Sequence, residues 1–152
     1  MVSGAVAMLA AGCGSGKHGT TTTTVARPSP ADRAAARAVV RVQAELRRGD
    51  FATAWRSLHP AEKRVASVQW LTRCYPRNAF PRTVTFRTSQ VRDVVWQVPG
   101  SKTISEAKEV TITATSGGKI VDTFAQHTVR VGGTWTWMLS RQYYAKAKRG
   151  AC

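Results

Sequence analysis

Four polar residues stand in β-branched stretches of the chain and could do chemistry: Asp93, Asp122, Gln126 and His127. A carboxylate beside an imidazole can pass a proton to and from a substrate, the work of general acid–base catalysis. Alternation along 120–131 places Asp122 and Gln126 on one strand face with Ile120 and Phe124, and His127 on the other with Val121, Ala125 and Val129. Neither face is cleanly apolar. An Asp122–His127 pair therefore needs a bulge between its members. Without one, Asp122 reads as a surface charge and His127 as a hydrogen-bonded residue in or beside the core. His59 precedes Pro60 at a helix junction, where capping is the ordinary role. No Gly-x-Ser-x-Gly elbow, no His-Glu-x-x-His and no clustered metal ligands occur. The chain offers no catalytic set beyond the candidates Asp122 and His127, and implies no metal and no cofactor. Gly14-Ser15-Gly16-Lys17-His18-Gly19 spells a dinucleotide-binding pattern, yet no strand precedes it and no helix follows, as the mechanism requires.

The elements that must position these residues fall into two halves. Ser29-Pro30-Ala31-Asp32 is a helix start, with Ser29 as cap, Pro30 in the first turn and Asp32 near the positive end of the dipole. The helix is expected to run to about Gly49, with Ala35, Val39, Val42 and Leu46 on one stripe. Asp50 caps a second helix carrying Phe51, Ala54, Trp55 and Leu58. After His59-Pro60 a third helical stretch is expected through Val65, Val68, Leu71, Cys74 and Tyr75, recapped at Ser67. From Thr83 the pattern turns β-branched and alternating. Expected strands are Thr83–Phe86, Val91–Val98, Lys108–Ala114, Ile120–Val131 and Thr134–Ser140. Turns are expected at Pro99-Gly100-Ser101, Gly117-Gly118 and Gly132-Gly133. Trp135, Trp137 and Leu139 then share one face and read as core, and Gln142 to Cys152 as a basic tail. Helices followed by an antiparallel sheet make an α+β fold.

The leading helix, Arg47-Arg48-Gly49-Asp50-Phe51-Ala52-Thr53-Ala54-Trp55, Leu58-His59-Pro60 and a meander closing on Gly133-Thr134-Trp135-Thr136-Trp137 together resemble the nuclear transport factor 2-like superfamily, in the form of small actinobacterial lipoproteins. The resemblance covers roughly residues 30–145. It implies a curved sheet wrapped by helices into a cone with a pocket. Members include isomerases, dehydratases and many binding domains, so the shape alone does not choose a function.

Residues 1–12 carry no charged side chain, and Leu9-Ala10-Ala11-Gly12-Cys13 resembles the lipobox of bacterial lipoproteins. That resemblance implies that 1–12 is a signal peptide, that Cys13 is acylated, and that the protein is lipid-anchored outside the cytoplasm. Residues 13–29 then form a lipidated, Gly- and Thr-rich disordered tether and 30–152 a single α+β domain. Acyl chains each contribute about 0.8 kcal/mol per buried methylene. With Cys13 acylated, Cys74 and Cys152 remain as an even pair in an oxidising compartment and are expected to bridge. Chain-entropy estimates for so long a loop run about 4–5 kcal/mol.

The formal net charge is +15 and the isoelectric point about 11.1. Such a chain should meet polyanions. Export removes nucleic acid from that set and leaves anionic lipid heads or a cell-wall phosphate polymer. Arg33, Arg37, Arg41 and Arg48 fall on one side of the first helix and are the expected anionic-partner surface. The leading expectation is thus a membrane-anchored, non-catalytic binding domain with a basic surface and a small apolar pocket, serving an anionic envelope polymer or envelope protein. An exported isomerase- or dehydratase-like enzyme is the first alternative, and a cytosolic polyanion or nucleic-acid binder the second.

Overall fold

The computed structural model describes residues 27–75, 80–99, 102 and 104–152. Cys13, the expected signal peptide, the glycine motif and most of the expected tether lie outside the described residues, as do Gly100 and Ser101 of an expected turn. Helix α1 (Pro30–Arg48) begins with a full capping box: the Ser29 hydroxyl accepts from Asp32 N at 3.0 Å and Ser29 N donates to Asp32 Oδ2 at 2.9 Å. Gly49 ends it at φ 78°, a left-handed value that a side chain resists, and its N–H bonds the Glu45 and Leu46 carbonyls. Three short helices follow, α2 (Phe51–Arg56), α3 (Pro60–Lys63) and α4 (Val68–Cys74). Asp50, His59 and Ser67 cap them in turn, each side chain accepting a backbone N–H.

The strands β1 (Thr85–Gln97), β2 (Ile104–Ser116), β3 (Lys119–Val131) and β4 (Thr134–Trp137) form one open antiparallel sheet in the order β1-β2-β3-β4. The fold is therefore α+β. Two expectations are corrected. Thr83–Phe86 and Val91–Val98 are not separate strands: β1 runs through, and a register shift between Thr88 and Gln90 absorbs Ser89. The polar run that looked like a break is the exposed part of an edge strand. The last strand stops at Trp137, and the expected basic tail is largely helix α5 (Arg141–Lys148). Ser140 caps α5 by accepting from Tyr143 N, and Tyr143, Tyr144 and Ala147 pack on the core.

One face of the sheet carries the main helix. Val110, Ile112 and Ala114 of β2 are fully buried, the first two in one cluster with Ala35 and Val39 of α1. A second cluster joins Val42 and Leu46 to Ala54, Leu58, Trp70, Leu71 and Trp137. Burying such side chains contributes roughly 1.5–3 kcal/mol each. On the opposite face, Ala107 and Val129 pack with Val98 and Met138.

Polar ties lock the helical half to the end of the chain. The Trp137 indole donates to Ala54 O at 2.7 Å, across 83 positions. The Trp70 indole donates to Ala151 O at 2.9 Å, across 81. Glu62 accepts from Leu139 N at 2.6 Å, across 77. Cys74 and Cys152 form the expected disulfide, with a Cα–Cα distance of 5.0 Å and a separation of 78. Among the described residues no helix is long and apolar enough to cross a membrane.

Candidate functional site: an aromatic-walled cavity

The sequence-derived pair is not brought together. Asp122 and His127 lie five positions apart on β3, and the β2–β3 register runs unbroken from Ala114↔Asp122 to Glu109↔His127. The register shift in this pair falls on the other side of Asp122, between Ala114 and Thr115. Odd separation without a bulge puts the two side chains on opposite faces. Asp122 is on the face that carries α1. His127 is on the other, where its Nε2 stands 3.1 Å from Glu109 Oε2 and its ring stacks on Trp96 at 3.7 Å. Arg92 also pairs with Glu109, at 2.6 Å, and Arg141 lies over the Trp96 ring. Burial lowers the His127 pKa, Arg141 and Arg92 add to that, and Glu109 opposes it. The imidazole is neutral at pH 7, a wedged and hydrogen-bonded ring. Asp93 is likewise committed, to Lys108 at 2.6 Å, and Lys108 also reaches Asp32 at 2.7 Å.

The α1 side of the sheet holds a cavity of about 290 Å³. Its walls come from distant parts of the chain. Helix α1 supplies Gln43, Leu46 and Arg47, β1 supplies Phe86, and β3 supplies Asp122, Phe124 and Gln126. Tyr75, Phe80, Ala125, Ser140 and Tyr143 complete the lining. The rings are mutually packed. Phe80 stacks on Phe124 at 5.8 Å and meets Phe86 edge-on at 5.4 Å, while Tyr75 stacks on Tyr143 at 5.2 Å. Such offset and edge contacts hold the walls in place and leave ring faces for a ligand. Burial holds the Tyr75 phenol well above its ordinary pKa, so it keeps its proton.

Polar groups stand at defined points in this apolar wall. The Gln126 side chain donates to Met138 O and accepts from Gln43 Nε2 at 3.3 Å, tying α1 to β3. Arg47 is half-buried, with its guanidinium carbon 5.8 Å from the centre of the Phe86 ring. Its Nε is buried with no hydrogen-bond partner. Asp122 is exposed at the lining, with Oδ1 accepting from Thr123 N at 2.7 Å.

The basic residues singled out in α1 lie elsewhere. Arg33, Arg37, Arg41 and Arg48 are all exposed, on the side of α1 turned away from its buried stripe. Arg41 approaches Glu45 at 3.7 Å, and Arg33 donates to Pro28 O. Among the described residues no group of three His, Cys, Asp or Glu side chains could hold a metal ion.

Sequence reasoning named Asp122, Phe124 and Gln126 but missed Gln43, Arg47, Tyr75, Phe80 and Phe86. A signal was present for two of them. Val39, Gln43 and Arg47 recur every four positions, so one column of the helix passes from apolar to polar as it approaches the cavity. Compared with known proteins, the chain matches no protein-family profile, no curated protein and no solved structure.

Proposed function

We propose that this chain is a non-catalytic binding domain, held on the outer face of a membrane by an acylated Cys13, whose cavity receives a small, largely apolar ligand. In this reading the helices and sheet belong to a cone-shaped fold of the nuclear transport factor 2-like kind, and the cavity is the hollow of the cone. The observation that carries it is the ring-walled hollow of about 290 Å³ between α1 and the sheet. An apolar pocket with a few placed polar groups is the usual form of a small-molecule site. The exposed arginines of α1 supply a second, basic surface toward an anionic envelope polymer or the lipid heads.

Thermal melts of the purified domain against a panel of one- and two-ring compounds test the cavity. A saturable rise in melting temperature with some member, and no turnover of it, is expected. No shift with any member would overturn the binding reading.

The alternative is an exported isomerase- or dehydratase-like enzyme. Asp122 favours it, because this carboxylate lines the cavity. Turnover of a bound compound that Asp122→Asn abolishes, with affinity kept, would decide for the enzyme.

A further inference from the structure

We propose that the cavity selects a small monoanion: one or two rings bearing a single carboxylate-class group, with Arg47 holding the acid. This rests on the binding reading above and names the chemistry of its ligand.

Among the described residues, Arg47 is the cation of the cavity wall. Among the described residues it makes no ion pair, and its one recorded partner is the Phe86 ring beneath its guanidinium. Its buried Nε has no acceptor. A desolvated donor left unpaired is costly, more so on a charged group, and a ligand acceptor would recover that cost. The planar fork of a guanidinium matches the two oxygens of a carboxylate, and such charge-assisted bonds are about twice as strong as neutral ones.

The other polar groups shape this preference. Gln43 and Gln126 bond each other, and Gln126 also bonds Met138 O, so their amides are already engaged. The Ser140 hydroxyl oxygen accepts from Tyr143 N, and its O–H, being neutral, cannot offset a ligand's charge. Arg47 is left as the group that reads ligand charge. Asp122 is the one carboxylate of the lining among the described residues; it repels every negative charge on a ligand, and Arg47 can offset one, so a second charge is disfavoured. The rings on both sides accept a flat body by stacking or edge contact. The volume, about 290 Å³, sits at the small end of ligand pockets, which suits one or two rings.

The test compares naphthoate with its neutral isostere naphthamide on the full folded chain, by isothermal calorimetry. Naphthoate should bind one per chain, about tenfold tighter than naphthamide, the ratio expected of one charge-assisted contact. Arg47→Met should bring naphthoate down to the level of naphthamide and leave naphthamide unchanged. Arg47→Lys should keep part of the preference, and melts will show that both variants fold. Asp122→Trp, at an exposed lining position, should block both compounds.

The contrary outcomes separate the two claims. Equal binding of both compounds, indifferent to Arg47→Met, overturns the anion preference and leaves the cavity reading standing. Binding of neither compound, like binding that Asp122→Trp does not reduce, overturns the use of this cavity and the anion preference with it. A naphthoate preference that survives Arg47→Met but disappears when Arg33, Arg37, Arg41 and Arg48 are all made Gln assigns the effect to the outer surface and overturns the proposal.

Discussion

Glu62 is fully enclosed. Its Oε2 accepts from Leu139 N, and its Oε1 has no partner. Burial pushes its pKa from the ordinary 4.5 up to about 8, against the opposing pull of the Leu139 bond. At neutral pH the folded chain therefore holds it protonated, while the unfolded chain does not. The unfolded state then binds fewer protons, so stability must fall as pH rises from about 4.5 to about 8, and this contribution levels off on either side. Glu62→Gln keeps an acceptor for Leu139 N and removes the titration. Its melting temperature should exceed that of the parent at pH 9 and match it near pH 5, as thermal scans at the two pH values will show. Asp32 acts in the opposite direction. Its bonds to Lys108, and then to Ser29, hold its carboxyl at about 2 instead of 3.8, so that contribution is present above pH 4 and lost as pH falls through 2. Asp32→Asn should flatten the acid limb of the unfolding profile. The enclosure of Glu62 and the bond from Lys108 to Asp32 were not legible in the sequence. Pro60-Ala61-Glu62-Lys63 reads as the solvated first turn of a helix, and only the packing of α3 against the β4–α5 junction encloses the carboxylate.

At the scale of elements, local chemistry was readable wherever it was self-contained. The capping box of α1 needs only Ser29 and Asp32, three positions apart. Ser29→Ala should cost about 1 kcal/mol by urea denaturation, with no change in the sheet. The buried stripe of α1 and the glycine turns were equally visible, because helical period and turn residues are properties of short windows. Elements whose form depends on distant partners were not. The Ser89 irregularity in β1 leaves no local trace, and Arg141–Lys148 looks like a cationic tail until Tyr143 and Tyr144 find the core beside Trp70 and Tyr75. The cavity escaped for the same reason, since its wall is gathered from α1, β1, β3 and the approach to α5. The cystine, by contrast, was expected by counting once the lipobox resemblance set Cys13 aside, and the structure shows the bond. Reduction, or Cys74→Ser with Cys152→Ser, should cost up to about 4–5 kcal/mol, read from the shift of the unfolding midpoint. The Trp70 and Arg73 bonds to the backbone of Ala151 and Gly150 should keep the last turn docked in part, which hydrogen exchange at those amides would detect.

Across the whole molecule, net charge and the proposed lipid anchor make separate, testable contributions to membrane binding. A net charge of +15 with four exposed arginines along one helix should give binding to anionic vesicles that weakens steeply with salt. Replacing Arg33, Arg37, Arg41 and Arg48 with Gln should flatten that dependence in a sedimentation assay, and change unfolding free energy by no more than about 0.5 kcal/mol per substitution. Metabolic labelling with a palmitate analogue, compared between the parent and Cys13→Ala, tests the anchor.

The ties between the two halves carry one more consequence. Ala54 waits for Trp137, Glu62 for Leu139, Trp70 for Ala151 and Gln43 for Gln126, each pair about 80 positions apart. Closing loops of that length costs entropy before any contact returns it, so maturation should be slow for a chain of this size. A polypeptide emerging amino end first displays Ala35 and Val39 of α1, bare, until Val110 and Ile112 of β2 have followed. Shielding by a holding chaperone during that interval would set its yield, and truncations ahead of β4 should aggregate rather than settle into a smaller native form.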